Sequence, residues 1–161
     1  MNRLLPAPVS VRIKHIRLAL FGIAISWTLA ALMACTTPSA NGDYSLYQQL
    51  GGQSGVTTVV NRTMDRVSTD PRSKRSFQGV KMPYLKESVV AYICKVADGP
   101  CQYEGETMAN SHAKSNITAS EFDLMVTILR EELDRAGISD SAKNELLRRV
   151  APTRRDIVKA P

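Results

Sequence analysis

Only a few side chains in this protein can start chemistry. Histidine occurs twice, at His15 and His112, and cysteine three times, at Cys35, Cys94 and Cys101. An imidazole works as an acid–base group near neutral pH or lends a nitrogen lone pair to a metal. Zinc would need three or four donors gathered in one place, and no second histidine or Cys/His/acid cluster stands near His112. Taken alone, His112 is an ordinary surface or half-buried residue, and a zinc site is not expected.

Cys35 sits in a different context. Arg3, Arg12, Lys14, His15 and Arg17, with no acid among them, precede an apolar run from Leu18 to Leu32 that leads into Leu32-Met33-Ala34-Cys35. That is the build of a secretory signal. An uncleaved membrane-spanning helix is the alternative, since spans take about 17 to 25 residues and this run falls slightly short. The leucine three residues before the cysteine, small Ala34, and the polar Thr36-Thr37-Pro38-Ser39-Ala40-Asn41-Gly42 tract resemble a bacterial lipoprotein processing box. The resemblance implies that residues 1–34 are removed, that Cys35 is acylated, and that residues 35–43 are a flexible tether. Several acyl chains anchor stably where one does not. Thr36 is not the aspartate associated with inner-membrane retention, so the expected location is the outer membrane, facing the periplasm.

Removing residues 1–34 takes away four Lys/Arg and no acid, so the formal charge falls from +6 to +2. The pI near 9.4 thus belongs largely to the leader, and no nucleic-acid partner is expected. His112 becomes the only histidine. With Cys35 assigned to lipid, Cys94 and Cys101 remain as an even pair in a compartment where disulfides persist. A bridge would close the short loop around Ala97-Asp98-Gly99-Pro100; two reduced thiols filling a core is the alternative.

The elements that must position these residues are helical. With 161 residues and 43% hydrophobic content, the chain has room for one compact domain after its leader, expected over 44–158. A short helix over Ser45 to Leu50 stops at Gly51-Gly52. A second, from about Gln53 to Thr69, carries Val56, Val59, Val60, Met64 and Val67 on one face and ends at Asp70-Pro71. An irregular basic stretch holding Phe77, Gly79 and Pro83 leads to a third, about Tyr84 to Val96, whose face is Leu85, Val89, Tyr92, Ile93 and Val96. Cys101 to Asn116 is poor in apolar residues and reads as a loop with at most a turn or two of helix. Thr118-Ala119-Ser120-Glu121 has capping-box spacing and opens a long helix with Phe122, Met125 or Val126, Leu129 and Leu133 on one face, stopping at Gly137. A last helix from about Asp140 is interrupted at Pro152. The basic Arg72, Lys74 and Arg75 read as a solvated loop.

Met108-Ala109-Asn110-Ser111-His112, followed by Ile117-Thr118 and Phe122, resembles the proximal stretch of the truncated hemoglobins, specifically their first group. Other windows resemble the same family in order. They are Leu46 to Gly52 with its glycine pair, Val59-Val60 through Asp70-Pro71, and the turn with Phe77, Gly79, Val80 and Met82. Gly99-Pro100 with Tyr103 and Gly105, and Val150-Ala151-Pro152 with Asp156-Ile157-Val158, complete the series. The resemblance spans Tyr44 to Val158 and implies an all-α, two-over-two helical sandwich that binds heme b. It implies that His112 is the proximal iron ligand and that Phe77 packs flat on the porphyrin. Tyr92, Ile93, Met108, Ile117, Phe122 and Val126 would line the pocket, although core packing explains each equally well.

The departures from the family lie on the gas-binding side. Where the family commonly has a tyrosine preceded by an aromatic, this chain has Thr63-Met64. The supporting glutamine is Val89, the distal gate is Leu85, and a basic residue used for a heme propionate is Ser88, with Lys86 and Lys81 as substitutes. Met64, Leu85 and Val89 provide no strong donor for bound dioxygen, so weaker O2 retention is expected and rapid nitric oxide dioxygenation is discounted. Met64 as a second axial ligand competes with Met64 as core filling. Three functions follow. The first is a binder of O2, NO or CO. The second is a heme enzyme for NO or peroxide turnover, needing distal polar groups or an electron donor such as a reductase. The third is a heme-less interaction module.

Overall fold

The computed structural model describes residues 44–158. The expected signal segment, Cys35 and the tether lie outside the described residues. Local chemistry sets most helix ends. Ser45 accepts from the Gln48 amide while the Gln48 side chain accepts from the Ser45 amide, opening α1 (Leu46–Gln49). Gly51, at φ 84°, takes a left-handed turn that an L side chain resists, and α2 (Gly52–Thr69) follows. Asp70 precedes Pro71, whose ring pushes its neighbour out of helical geometry; Asp70 is extended at ψ 128° and α2 ends there.

A 3-10 turn over Lys74–Phe77 leads to α3 (Met82–Val96). Pro83, expected before the helix, lies in the first turn of α3, where its missing N–H costs nothing because those amides have no helical acceptor. Thr107 caps α4 (Met108–His112), and a Thr118–Glu121 capping box starts α5 (Ala119–Arg135). Gly137, at φ 70°, turns the chain toward α6 (Asp140–Val150), and a 3-10 turn over Ala151–Thr153 leads to α7 (Arg154–Ile157). Among the described residues there is no strand, only an isolated parallel bridge between Ile117 and Val158. No described helix is long and apolar enough to cross a membrane.

Packing follows two helix pairs, α2 with α3 and α5 with α6, stacked so that α2 meets α5 and α3 meets α6. Val56, Val60 and Val67 of α2, Leu133 of α5 and Leu146 of α6 are almost wholly buried between them, each contributing about 1.5–3 kcal/mol by leaving water. Glu132 is buried on α5 but bonds Arg66 of α2 and Arg135 of its own helix, so its charge is paired across the helix contact.

α3 and α5 depart from the single apolar face expected of each. α5 turns Leu124, Ile128 and Leu133 into the core and leaves Phe122, Met125, Val126 and Leu129 half-buried on an adjacent face. α3 turns Val90, Ile93 and Cys94 inward and leaves Leu85, Val89 and Tyr92 half-buried. Both helices carry two apolar faces because each separates the core from a cavity.

Candidate functional site

The cavity that these half-buried faces enclose holds about 400 Å³, in the range of small-molecule sites at roughly 300–1,000 Å³. His112, Phe77, Met64, Leu85, Val89, Tyr92, Met108, Ile117 and Phe122 all line it. Elements distant in sequence bring them together: α2 supplies Met64, the 3-10 turn Phe77, α3 the next three, α4 Met108 and His112, and α5 Phe122. A separate groove of about 470 Å³ between α2 and α3, lined by Gln53, Asn61 and Lys86 among others, contains none of them.

His112 ends the short helix α4, and its Nδ1 lies 2.9 Å from the Met108 carbonyl oxygen. A carbonyl can only accept, so Nδ1 carries the proton and donates it. In the neutral ring Nε2 then carries the lone pair, which is the arrangement a metal-ligating imidazole needs. Among the described residues no group of three or more His, Cys, Asp or Glu could hold a metal.

The walls around His112 are tied down from several directions. Cys94, at the end of α3, forms a disulfide with Cys101, holding the loop that carries Tyr103. The Tyr103 ring meets Tyr92 edge-on at 5.3 Å between centroids, and its hydroxyl donates to the Glu106 carbonyl. Burial, followed by the Tyr103 neighbour, pushes the Tyr92 phenol up. Arg154 of α7 lies 5.7 Å over the Phe122 ring, and the bridge from Val158 to Ile117 fixes the strap between α4 and α5.

Glu121 locks the turn that carries Phe77. Its carboxylate accepts from the Thr118 amide and hydroxyl, from the Ser76 hydroxyl at 2.9 Å, and from Arg75. Burial pushes this carboxyl up, but the Thr118 and Ser76 hydrogen bonds and the Arg75 charge outweigh it, so the net shift is down. Arg75 also donates to the Asn116 carbonyl. Arg75 is thus a cross-link from a loop that is solvated as expected: Arg72, Lys74 and Arg75 are all exposed, and Arg72 pairs with Asp70. Ser88 lines the cavity, whereas Lys81 does not, and Lys86 is held by Asp65 on the other side of α3.

Several lining residues are absent from the sequence expectations as pocket members. Thr63, Glu121 and the stripe Val150, Thr153 and Ile157 near the C-terminus all reach the cavity. The 3- and 4-residue spacing of that stripe was a readable signal; nothing in the sequence marks which way Thr63 faces.

Residues 45–159 match the bacterial-like globin family. This chain belongs to it. The globin is 31% identical to the group 1 truncated hemoglobin of Nostoc commune over 106 residues, which are 66% of this chain and 90% of that protein. It is also 31% identical to the group 1 truncated hemoglobin of Mycolicibacterium paratuberculosis over 108 residues, 67% of this chain and 79% of that protein. A crystal structure of truncated hemoglobin from Tetrahymena pyriformis in its Fe(III) form superposes with a TM-score of 0.69 at 25% identity, covering 73% of this globin and all of that chain. The all-α truncated-hemoglobin fold follows from this match.

Proposed function

We propose that this globin holds heme b through His112 and reversibly binds a diatomic gas, O2, NO or CO, in the cavity facing it. The observation that carries this is the Nδ1–H bond from His112 to the Met108 carbonyl, inside a cavity whose wall includes Phe77. When bound, heme would supply an iron able to take up a diatomic gas. The chain's own residues do the rest. His112 would hold the iron through Nε2, with its ring orientation set by the Met108 carbonyl. Phe77 covers apolar macrocycle surface, and Met64, Leu85 and Val89 exclude water from the gas side. Tyr92, Met108, Ile117 and Phe122 close the remaining edges. The test is an absorption spectrum of the hemin-supplied protein beside His112→Ala, in ferric, ferrous and CO-bound forms. A Soret band typical of a histidine-ligated CO complex, lost or altered in the variant, supports the reading; identical spectra remove His112 as the ligand.

We further propose that Cys35 is acylated after removal of residues 1–34, placing the globin in the cell envelope, at the outer membrane facing the periplasm. The basic head, apolar run and processing-box pattern support this. Fractionation checks it: the protein should follow the membranes, and Cys35→Ala should not be acylated.

A further inference from the structure

Thr63 is 4% exposed, and its hydroxyl is the one buried side-chain nitrogen or oxygen among the described residues with no hydrogen-bond partner. Buried hydroxyls nearly always find one, because giving up water for nothing is costly. A threonine inside a helix has an acceptor at hand, the carbonyl four residues back. Thr69, farther along α2, donates to the Asp65 carbonyl at 2.8 Å, and Thr127 on α5 donates to the Asp123 carbonyl at 2.8 Å. Thr63 makes no such bond, and it lines the same cavity as His112.

The surroundings of Thr63 narrow what it can donate to. Other cavity residues contributed by α2 are Val60, Met64 and Val67, all apolar. Ser73, Ser76 and Thr153 also reach the cavity, but their hydroxyls are committed to the Val67 carbonyl, the Glu121 carboxylate and the Val150 carbonyl, and Ser88, Tyr92, Ser111 and Ser115 in the lining are half-buried or exposed. Thr63 is thus the fully buried, uncommitted hydroxyl in the cavity lining, on the wall built from α2.

We propose that Thr63 is the hydrogen-bond donor to the diatomic ligand, replacing the expected donor-free distal wall. This rests on the gas-binding reading above. Such a bond favours ligands whose outer atom carries partial negative charge, so Thr63 raises retention of O2 relative to CO. The hydroxyl acts as a specificity-determining group and not as an iron ligand.

The experiment compares the heme-loaded full chain with Thr63→Val, which keeps the shape and removes the hydroxyl, and Thr63→Ser, which keeps the hydroxyl. Infrared spectra of the CO complexes, O2 dissociation rates and melting of the heme-free proteins are recorded. In Thr63→Val the C–O stretch should move to higher wavenumber, because a donor near the outer atom otherwise draws electron density onto CO. Its O2 dissociation should be at least about tenfold faster, and Thr63→Ser should return both toward wild type. The heme-free Thr63→Val should melt no lower than wild type, since it buries no orphaned hydroxyl. Heme uptake with an unmoved C–O stretch and unchanged dissociation overturns the role of Thr63 alone. Failure of the wild type to take up heme overturns the gas-binding reading as well.

Discussion

His112 shows how a single backbone contact assigns chemistry to a side chain. The Met108 carbonyl 2.9 Å from Nδ1 selects one tautomer of the ring, and that carbonyl cannot be removed by substituting a side chain. Phe77 is different, since its contribution is surface. It is half-buried and packs against the core from a 3-10 turn, so Phe77→Ala should cost about 1.5–3 kcal/mol of the apolar contact available to a bound macrocycle. The readout is heme transfer to a competing acceptor, expected to be at least about tenfold faster for that variant; an unchanged rate would mean that Phe77 does not touch the group. Glu121 governs where Phe77 is held, through Ser76 and Arg75. Glu121→Gln removes the charge that Arg75 and the Thr118 amide use, and should destabilise the fold by about 1–3 kcal/mol, measured by denaturant unfolding.

At the scale of elements, α2, α3 and α5 are long and α4, which carries His112, is short. α4 has five residues, too few to be stable by itself, so its position depends on what is fastened to either side. On the N-terminal side the Cys94–Cys101 disulfide ties its approach loop to α3. Closing so short a loop restricts the unfolded chain by about 2 kcal/mol. Reductant or the Cys94→Ser, Cys101→Ser pair should therefore lower stability by about that amount, seen as a reduced melting temperature without loss of helical circular dichroism at room temperature. On the C-terminal side the Thr118–Glu121 capping box fixes the start of α5. Thr118→Ala should cost about 1 kcal/mol, and because Glu121 also holds the Phe77 turn, heme retention should fall with it.

The whole molecule is held at neutral pH partly by carboxylates that stay ionised. Hydrogen bonds from Arg72 lower the Asp70 carboxyl to about 2, those from Arg148 and Arg149 lower Glu145 to about 2, and Glu121 is lowered by the contacts described above. A carboxylate depressed in the folded state stabilises the fold fully above its unfolded value and loses that contribution as pH falls through the folded one. Thermal stability should therefore hold near neutrality, decline once pH drops below about 4.5, the ordinary glutamate value, and continue falling toward pH 2. Melting curves across that window check it, and Glu145→Gln should flatten part of the decline. Added salt should weaken the exposed Arg148–Glu145 and Arg72–Asp70 pairs, since exposed charges are screened.

The helix inventory was legible in the sequence because its signals are local. Capping residues act within one turn, as Ser45 and Thr118 do; Gly51 and Gly137 mark left-handed turns; and Pro71 ends α2 through its immediate neighbour. The order of windows around Phe77 and His112 likewise carries the resemblance to the truncated hemoglobins in the sequence itself. Periodicity could not separate the two apolar faces of α3 and α5, because Leu124 and Phe122 look alike until the opposing surface is known to be core or cavity. The exposure of Arg75 was legible, but its pairing with Glu121 was not, because the two lie 46 positions apart in the chain. For Thr63, the residue type was visible, but whether its hydroxyl turns back to its own helix or into the cavity is a choice that only the packed structure makes.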